Sequence, residues 1–426
     1  MVMIDLLRRN RRYARLWGGE SISMLGDQVT ALALPMIAIL LLHAPAWQLG
    51  VLTAASWVPY LFALLTGTAV DRVTSKRRIL VLTDLARAAA LASIPVAALI
   101  GRLTVGQLIM VAVLVGLAGS VSQTAYISFF ARLVHTDDVI TANSLNSTAR
   151  SVTEIGGPPA AGWLIQALSA PAALLVDSAS YLVSALSVIG IRLDEPRPER
   201  QHQHVLRGAV EGLRTMLRDR WLSSILWCTS TMNLANFAIL AVVLVFATRT
   251  LRLSAGQIGT AQGIGAFGAL AGALLASRLS KRIGLFPITM IGTVLFSLPF
   301  VIFAVIPEST PAPSKIIGYA GCAFVVTGGI MLYDITINSV MIKVIPEDMR
   351  GRLVGAFSSI NYGIRPVGAL LGGAAAGWWG PRATILTAAV VGLLAVLPLA
   401  RSPLRRCRTL ADVVAVRGDL SDSSSR

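Results

Sequence analysis

Charged residues are scarce in this 426-residue chain, where they make up 14% of the total. Soluble domains carry about 25%, because their surfaces must face water. Hydrophobic residues account for 55%, and the mean hydropathy is +0.70. The shortage of charge excludes a soluble globular protein and indicates a membrane protein.

Cysteine and histidine are also rare, with three and four residues. The cysteines have no CxxC or metal-ligand spacing, which excludes a disulfide framework and a zinc module. No Walker loop is present, so the chain does not hydrolyse ATP by that route. No clustered nucleophile and base or metal triad is present either. We expect no metal, no cofactor and no enzyme activity, and energy for any function must come from a gradient.

Long apolar runs fill much of the remaining sequence. A membrane-spanning helix needs about 20 mainly apolar residues. A window of that length predicts twelve spans, numbered 1 to 12, at roughly 17–42, 48–70, 79–100, 105–130, 143–168, 171–191, 221–248, 255–277, 283–306, 316–340, 353–378 and 382–400. The sequence therefore predicts an all-α integral membrane protein with twelve transmembrane helices.

The basic residues are distributed unevenly over the predicted loops. With a cytoplasmic N-terminus, 29 of the 37 fall in inner segments, five in outer loops and three inside spans. Retention of Lys and Arg on the cytoplasmic side predicts this asymmetry. The net charge of +16 is thus explained by topology in the inner (plasma) membrane, with both termini cytoplasmic. Because no cluster of basic and aromatic residues forms a soluble face, we expect no nucleic-acid partner.

The longest inner segment, 192–220, separates six spans from six. Its second part, from Val205 to Arg220, places apolar residues on one helical face, which predicts an amphipathic helix on the inner leaflet. We predict an N-terminal six-helix bundle (1–191), the linker (192–220), a C-terminal six-helix bundle (221–400) and a disordered tail (401–426).

The two halves match at equivalent loops. The loop after span 2 reads GTAVDRVTSKR from Gly67, and the loop after span 8 reads GALLASRLSKR from Gly272, with four of eleven positions identical. The loops before spans 5 and 11 also match, at an offset of 211 residues against 205 for the first pair. Near-equal offsets predict two six-helix repeats, related by an axis along the membrane normal.

The loop after span 2 resembles the signature loop of the major facilitator superfamily, G-x-x-x-D-R-x-G-x-R-R. The matching residues here are Gly67, Asp71, Arg72, Lys76 and Arg77. The resemblance implies the major facilitator fold and a gate at the cytoplasmic mouth. In that gate the Asp71 carboxylate would accept hydrogen bonds from the first N–H groups of span 11. The alternative is that the arginines only enforce topology.

Span 5 carries Gly157, Pro158 and Gly162, which look like the G-P-x-x-G-G element of the family's antiporters. Small residues let helices approach closely, and a proline removes an internal hydrogen bond and kinks its helix. A gating role and simple packing both remain open. The segments 84–87 and 142–145 look like the branch of bacterial siderophore and macrolide exporters. Span 4 lacks the central arginine that is common in drug–proton antiporters of this superfamily.

Charged residues inside spans are candidates for function, because each would cost about 3 kcal/mol unpaired at a helix centre. Asp84 and Arg87, at the cytoplasmic end of span 3, are spaced to pair with each other. The same reasoning predicts a pair between Arg150 and Glu154. The remaining four are Glu20, Asp27, Asp177 and Asp334, and with Arg365 they complete the nine charges in the spans.

Asp27, Glu154 and Arg365 lie nearest the predicted midplane. Our hypothesis is that Asp27 and Glu154 include the carboxylate that binds and releases the proton, with Arg365 as a counter-charge or substrate anchor. The alternative is that these residues form static structural pairs. Polar and aromatic residues suited to line a substrate cavity are Gln28, Gln123, Tyr126, Asn233, Asn236, Tyr333 and Asn338.

Such a lining suits bulky amphipathic molecules better than small charged metabolites. The sequence therefore favours a secondary active transporter that exports a drug-like or natural-product molecule by alternating access and proton antiport. A metabolite importer or uniporter on the same fold is the alternative. The partners of the predicted exporter are a small-molecule substrate, protons and the lipid bilayer, and we expect it to be a monomer.

Overall fold

The computed structural model describes residues 2–62, 66–67, 70, 72–191, 193 and 205–424. These residues are helical apart from short connections, and no β-strand occurs among them. The helices of the first half are α1 (Val2–Arg9), α2 (Arg11–Met36), α3 (Ala46–Leu61), α4 (Lys76–Leu99), α5 (Val105–Leu133), α6 (Val139–Leu168) and α7 (Ala170–Ile189). The remaining helices are α8 (Val205–Arg218), α9 (Arg220–Val245), α10 (Ala255–Ile283), α11 (Leu285–Ala304), α12 (Ala312–Val344), α13 (Arg350–Leu394), α14 (Val396–Ala400) and α15 (Leu410–Ser424).

The prediction of an all-α membrane fold is confirmed. Within the described ranges, nine helices are long and apolar enough to cross a membrane. One of the nine, Arg350–Ala400, contains predicted spans 11 and 12 together. Its helical geometry is interrupted at Gly380, where φ is +81° and ψ is 163°. Glycine adopts this conformation without a steric penalty, so the chain turns between the two spans there.

Unusual backbone conformations recur at equivalent places in the two halves. The helices α2 and α9 both end in a π-helical turn, Ile37–Leu41 and Phe246–Thr250. Each turn is followed by a residue with positive φ, His43 in the first half and Arg252 in the second, 209 residues apart. Ser169 repeats the conformation of Gly380, with φ of +81° and ψ of 155°, 211 residues earlier. These offsets agree with those of the matching loops.

The chain forms two compact units, whose bounds differ from the predicted bundles. The first contains Met1–His202 and Leu253–Gly263, and the second contains Gln203–Arg252 and Ile264–Arg426. The linker helix α8 thus belongs to the second unit, and the first turns of α10 belong to the first unit.

One end of the first unit is held by hydrophobic packing and polar contacts to backbone. The Tyr13 side chain is fully buried, and its hydroxyl donates to the Ala142 carbonyl at 3.0 Å. Arg9 forms an ion pair with Asp138, with both carboxylate oxygens within 2.8 Å of one nitrogen. These contacts fix α1 and α2 against the start of α6.

The linker helix α8 packs on the first turns of α13. Gly212 has no side chain, and a Cβ atom there would lie 2.6 Å from the Arg352 carbonyl oxygen. The Arg352 side chain forms an ion pair with Glu211 at 3.2 Å. The helix was predicted to lie on the lipid leaflet, but its side at Gly212 is covered by protein.

The C-terminal tail is helical from Leu410 to Ser424, where the sequence predicted disorder. Thr409 and Asp412 form a capping box that satisfies the first backbone N–H groups of α15. The N–H groups of Arg408 and Thr409 donate to the Asp412 carboxylate and lower its pKa. The backbone of Arg408 also accepts a hydrogen bond from Leu285. The tail is therefore attached to the second unit.

The repeated conformation at Ser169 and Gly380 generates a prediction about stability. Non-glycine residues in this region cost about 1–3 kcal/mol. We expect Ser169→Gly to raise the free energy of unfolding by about 1 kcal/mol and Gly380→Ser to lower it by a similar amount. Space is not the cause at Gly380, because a Cβ atom added there would have no atom within 4 Å. Thermal unfolding in detergent measures both, and equal melting temperatures for the two variants and the wild type would contradict the prediction.

Candidate substrate and proton site

The packing of α2 against α7 places the acidic residues of the first unit. A methyl group at Gly26 would overlap the Asp177 carboxylate and the Ser180 hydroxyl. At Gly19, a Cβ atom would lie 2.9 Å from the Ser187 Cβ. The two glycines therefore let the backbone of α2 approach the polar face of α7.

Asp27 on α2 is exposed, and its carboxylate accepts a hydrogen bond from the Tyr181 hydroxyl of α7. Tyr181 itself is only 1% exposed. The Arg87 guanidinium of α4 lies over the Tyr181 ring, with 5.0 Å between its Cζ atom and the ring centroid. Asp27 interacts electrostatically with Arg87. Three helices thus contribute one acid, one phenol and one guanidinium to a single cluster.

Gly119 of α5 forms the wall behind Arg87. A Cβ atom on Gly119 would lie 3.0 Å from both the Arg87 Nη2 atom and the Tyr60 hydroxyl. The span-4 helix therefore supplies space for an arginine that comes from span 3. The structure places Arg87 beside the candidate acid Asp27, although span 4 itself lacks the antiporter arginine.

Two further carboxylates, those of Asp177 and Asp84, lie next to this cluster and are buried. Asp177 is inaccessible to solvent, and the hydroxyls of Thr30 and Ser180 donate to it, the latter at 3.0 Å. Asp84 is 5% exposed and accepts a hydrogen bond from Ser184 rather than pairing only with Arg87. Of the three aspartates near Arg87, Asp27 alone is exposed.

Asp177 and Arg87 are not among the site residues that the sequence predicts. A signal for them is present on α7, where Asp177, Ser180, Tyr181 and Ser184 follow the spacing i, i+3, i+4, i+7. This spacing places four polar residues on one face of an otherwise apolar helix. Such a face requires polar partners inside the membrane, which α2 and α4 provide.

Glu154 lies outside this cluster. Its side chain is exposed on α6, and it forms no ion pair with Arg150, which is exposed as well. The predicted i, i+4 pair is therefore wrong. Among its neighbours on α6, Gly157 packs against Gln28, because a Cβ atom there would lie 2.9 Å from the Gln28 Cβ. The two candidate acids therefore differ in their contacts, with Asp27 hydrogen-bonded to Tyr181 and Glu154 exposed.

The antiporter-like element of span 5 forms a close helix contact within the first unit. A Cβ atom on Gly162 would lie 3.1 Å from the Gly259 Cα atom at the start of α10, and Gly259 in turn faces the Pro158 carbonyl. α6 continues as one helix through Pro158 and Pro159. The structure gives these glycines a packing role, and their gating role stays a prediction.

In the signature loop, Lys76 and Arg77 bind backbone carbonyls. The buried Lys76 ammonium donates to Val70 at 2.6 Å and to Val73 at 2.9 Å. Arg77 donates to the Ile191 carbonyl at 3.2 Å. These contacts fix the loop against the end of α7. Of the other motif residues, Gly67 and the exposed Arg72 are described, while Asp71 lies outside the described residues.

The second unit contains the third coupling candidate, Arg365. Its guanidinium carbon lies 4.6 Å from the centroid of Tyr362 and 5.3 Å from that of Phe237. Arg365 also interacts electrostatically with Asp334, an exposed carboxylate on α12. A cation over two rings and beside a carboxylate can bind an aromatic or charged group of a ligand.

The candidate cavity residues fall into two groups. Tyr333 is 2% exposed and its hydroxyl lies 2.7 Å from that of Thr229, so in this conformation it packs between helices instead of lining a cavity. Asn233 donates to Asn361 at 3.0 Å, which ties α9 to α13. The candidates that are exposed or partly exposed are Gln28, Gln123, Tyr126, Asn233, Asn236 and Asn338, of which Asn233 is bonded to Asn361.

Metal ligands are not arranged together in the described parts of the chain, where no group of three His, Cys, Asp or Glu residues could hold an ion.

The chain is similar to known transporters over most of its length. A family model described as Major Facilitator Superfamily matches residues 16–368. The multidrug efflux pump Tap of Mycolicibacterium fortuitum is 29% identical over 388 residues, covering 87% of this chain and 90% of that protein. The multidrug efflux pump Tap of Mycobacterium tuberculosis (strain ATCC 25618 / H37Rv) is 28% identical over 397 residues, covering 88% and 91%.

Solved structures of low sequence identity share the fold. The nucleoside transporter NupG superimposes with a TM-score of 0.73 at 14% identity, covering 92% of this chain and 98% of that one. A bacterial metal transporter superimposes with a TM-score of 0.65 at 16% identity, covering 92% and 98%.

The α2–α7 contact generates a prediction about Gly26. We expect Gly26→Ala to lower the free energy of unfolding by about 1–3 kcal/mol, because the methyl group must displace the Asp177 side chain or the helix. Gly18→Ala is the matched control on the same helix, since nothing lies within 4 Å of its Cβ position. Thermal unfolding in detergent compares the two. Alanine has a higher helix propensity than glycine, so Gly18→Ala should lose no stability. A control that loses as much stability as Gly26→Ala would show that the contact with Asp177 is not the cause of the loss.

Proposed function

Because this chain belongs to the Major Facilitator Superfamily, whose members are multi-pass membrane transporters, we propose that it exports drug-like small molecules in exchange for protons. The observation that carries export is the similarity to Tap multidrug efflux pumps along about nine-tenths of both chains. The distribution of 29 inner against five outer basic residues supports placing both termini in the cytoplasm.

The second unit supports an amphipathic substrate. Arg365 lies over two aromatic rings, and Asp334 provides an exposed carboxylate near it. Aromatic faces and a few charged groups in apolar surroundings recognise bulky molecules with one polar end. Asn236 and Asn338 add amide groups that can hydrogen-bond to such a substrate.

The first unit supports proton coupling through Asp27. Three aspartates surround the single guanidinium of Arg87, so full ionisation would leave uncompensated negative charge inside the membrane. Asp177 and Asp84 are buried and bonded to hydroxyl groups, whereas Asp27 is exposed. We therefore assign proton exchange to Asp27, because it is the aspartate of this group with an accessible side chain.

Protonation of Asp27 would change the forces between helices. An ionised Asp27 accepts the Tyr181 hydrogen bond and attracts Arg87, which links α2 to α7 and α4. A neutral Asp27 loses its attraction to Arg87, and the guanidinium then interacts mainly with Asp84. Protonation of Asp27 would thus change the packing of α2 against α4 and α7. Such a shift between packing arrangements is what alternating access requires.

Drug accumulation in an efflux-deficient bacterial strain tests the proposal. Cells that express the full chain should hold less ethidium, or less of an amphipathic antibiotic, than cells with empty vector. A protonophore should abolish the difference, because it removes the proton gradient. Unchanged accumulation of every compound, together with raised uptake of a metabolite, would favour the importer.

Substitution of Asp27 tests the coupling residue. Asp27→Asn keeps the size and a hydrogen-bond acceptor but cannot titrate, so we expect proton-driven efflux to fall at least tenfold. Asp27→Glu restores a titratable group and should recover part of the activity. Glu154→Gln is the matched control, since Glu154 is exposed and lies outside the cluster. Normal proton-driven efflux by Asp27→Asn would exclude Asp27 as the coupling site.

A further inference from the structure

A groove of about 580 Å³ lies in the second unit, between the first turns of α9 and the end of the last span. The substrate and proton candidates do not line it. Its lining residues are Arg220, Ser223, Ser224 and Trp227 from α9, and Leu394, Leu397, Pro398 and Arg401 from the chain around α14.

Along both helices, the lining residues change from basic at one end of the groove to apolar at the other. On each side the residues recur at i, i+3, i+4 and i+7, so they occupy a single helical face. α9 starts at this end of the unit and α14 finishes there, which places Arg220 and Arg401 together at the charged end. Trp227 and Leu394 lie seven residues deeper, or about 10 Å at 1.5 Å per residue.

The two arginines at the charged end receive no counter-charge from the described residues. Both are exposed, and neither side chain forms a hydrogen bond or ion pair with any residue in those ranges. The neighbouring acid, Asp219, is already engaged. It caps α9 by accepting from the backbone of Trp221 and Leu222, and it pairs with Arg417 at 3.6 Å.

The other end of the groove exposes apolar surface. Trp227 is 57% exposed, Leu394 51% and Leu397 52%. In a bilayer these side chains contact acyl chains, and tryptophan prefers the depth of the lipid headgroups and their ester groups. The basic end and the apolar end of the groove are therefore separated by the distance between a lipid headgroup and its acyl chain.

We propose that this groove is a binding site for one anionic phospholipid. The lipid phosphate lies between Arg220 and Arg401, and an acyl chain packs along Leu397, Leu394 and Trp227. Basic pockets between transmembrane helices bind anionic headgroups by this combination of charge and apolar contact. The lipid belongs to the leaflet on the side of the C-terminus.

A smaller groove in the first unit provides a comparison for the pair of arginines, Arg220 and Arg401, in the larger groove. It encloses about 250 Å³ and is lined by Arg77, Arg78, Val81, Leu82 and Ile189. There Arg77 already donates to the Ile191 carbonyl, and the lining contains no tryptophan. The larger groove has two guanidinium groups without a partner in the described part of the chain, so we assign the lipid site to it.

Lipid titration of the purified full-length protein tests the site, with binding followed by native mass spectrometry and by the melting temperature. Phosphatidylglycerol should bind at least tenfold more tightly than phosphatidylcholine. The double variant Arg220→Gln/Arg401→Gln should weaken phosphatidylglycerol binding by about 30-fold. Arg220→Lys/Arg401→Lys keeps the charge and should retain most of the binding, which also shows that the fold tolerates substitution there.

The matched control is Arg405→Gln/Arg406→Gln, which removes two exposed arginines near the groove that do not line it. It should bind phosphatidylglycerol as the wild type does, and an equal loss in this control would overturn the site in favour of diffuse electrostatic attraction. Inorganic phosphate should neither raise the melting temperature nor displace the lipid. Displacement by phosphate at millimolar concentration, or full binding by the double glutamine variant, would also refute a phospholipid site.

Discussion

The cost of placing ionised groups in hydrocarbon constrains the whole arrangement of this protein. Arg87, on α4, is stabilised by carboxylates and aromatic rings from neighbouring helices, and it cannot be moved without leaving those charges uncompensated. Arg365 is accommodated differently, by two rings and one carboxylate. Arg87 in the first unit and Arg365 in the second are thus cations whose partners come from several helices. In both units, the neutralisation of these charges therefore depends on how the helices pack.

Small residues make that charge balance geometrically possible. Gly26 lets α2 approach Asp177, and Gly119 leaves space for the Arg87 guanidinium. In a membrane, close packing of this kind replaces the hydrophobic effect as the source of helix association. A glycine beside a buried charge therefore contributes to the electrostatics, because its lack of a side chain sets the distance between the groups.

Much of the fold was predictable from the sequence, because span length and loop charge follow from bilayer thickness and from retention of basic residues. Asp27 is a candidate on similar grounds, because of its predicted depth in span 1. Its partners were not found, since Arg87 and Tyr181 meet it only after three helices pack, and depth alone does not show which face of a helix meets which neighbour. The same limit applies to Glu154, which has a similar predicted depth in span 5 but an exposed side chain. The tail helix was missed because its stability depends on a local capping box and on contacts to α11 and Asp219, which composition does not reveal.

The matching backbone at Ser169 and Gly380 shows what determines the turn between the last two spans of each half. A conformation that suits glycine is present in both, although only one half has glycine there. The surrounding helices therefore impose the turn, and a residue other than glycine occupies its centre at some cost in stability. The two six-helix repeats are thus related by the backbone geometry of this turn as well as by the sequences of their matching loops.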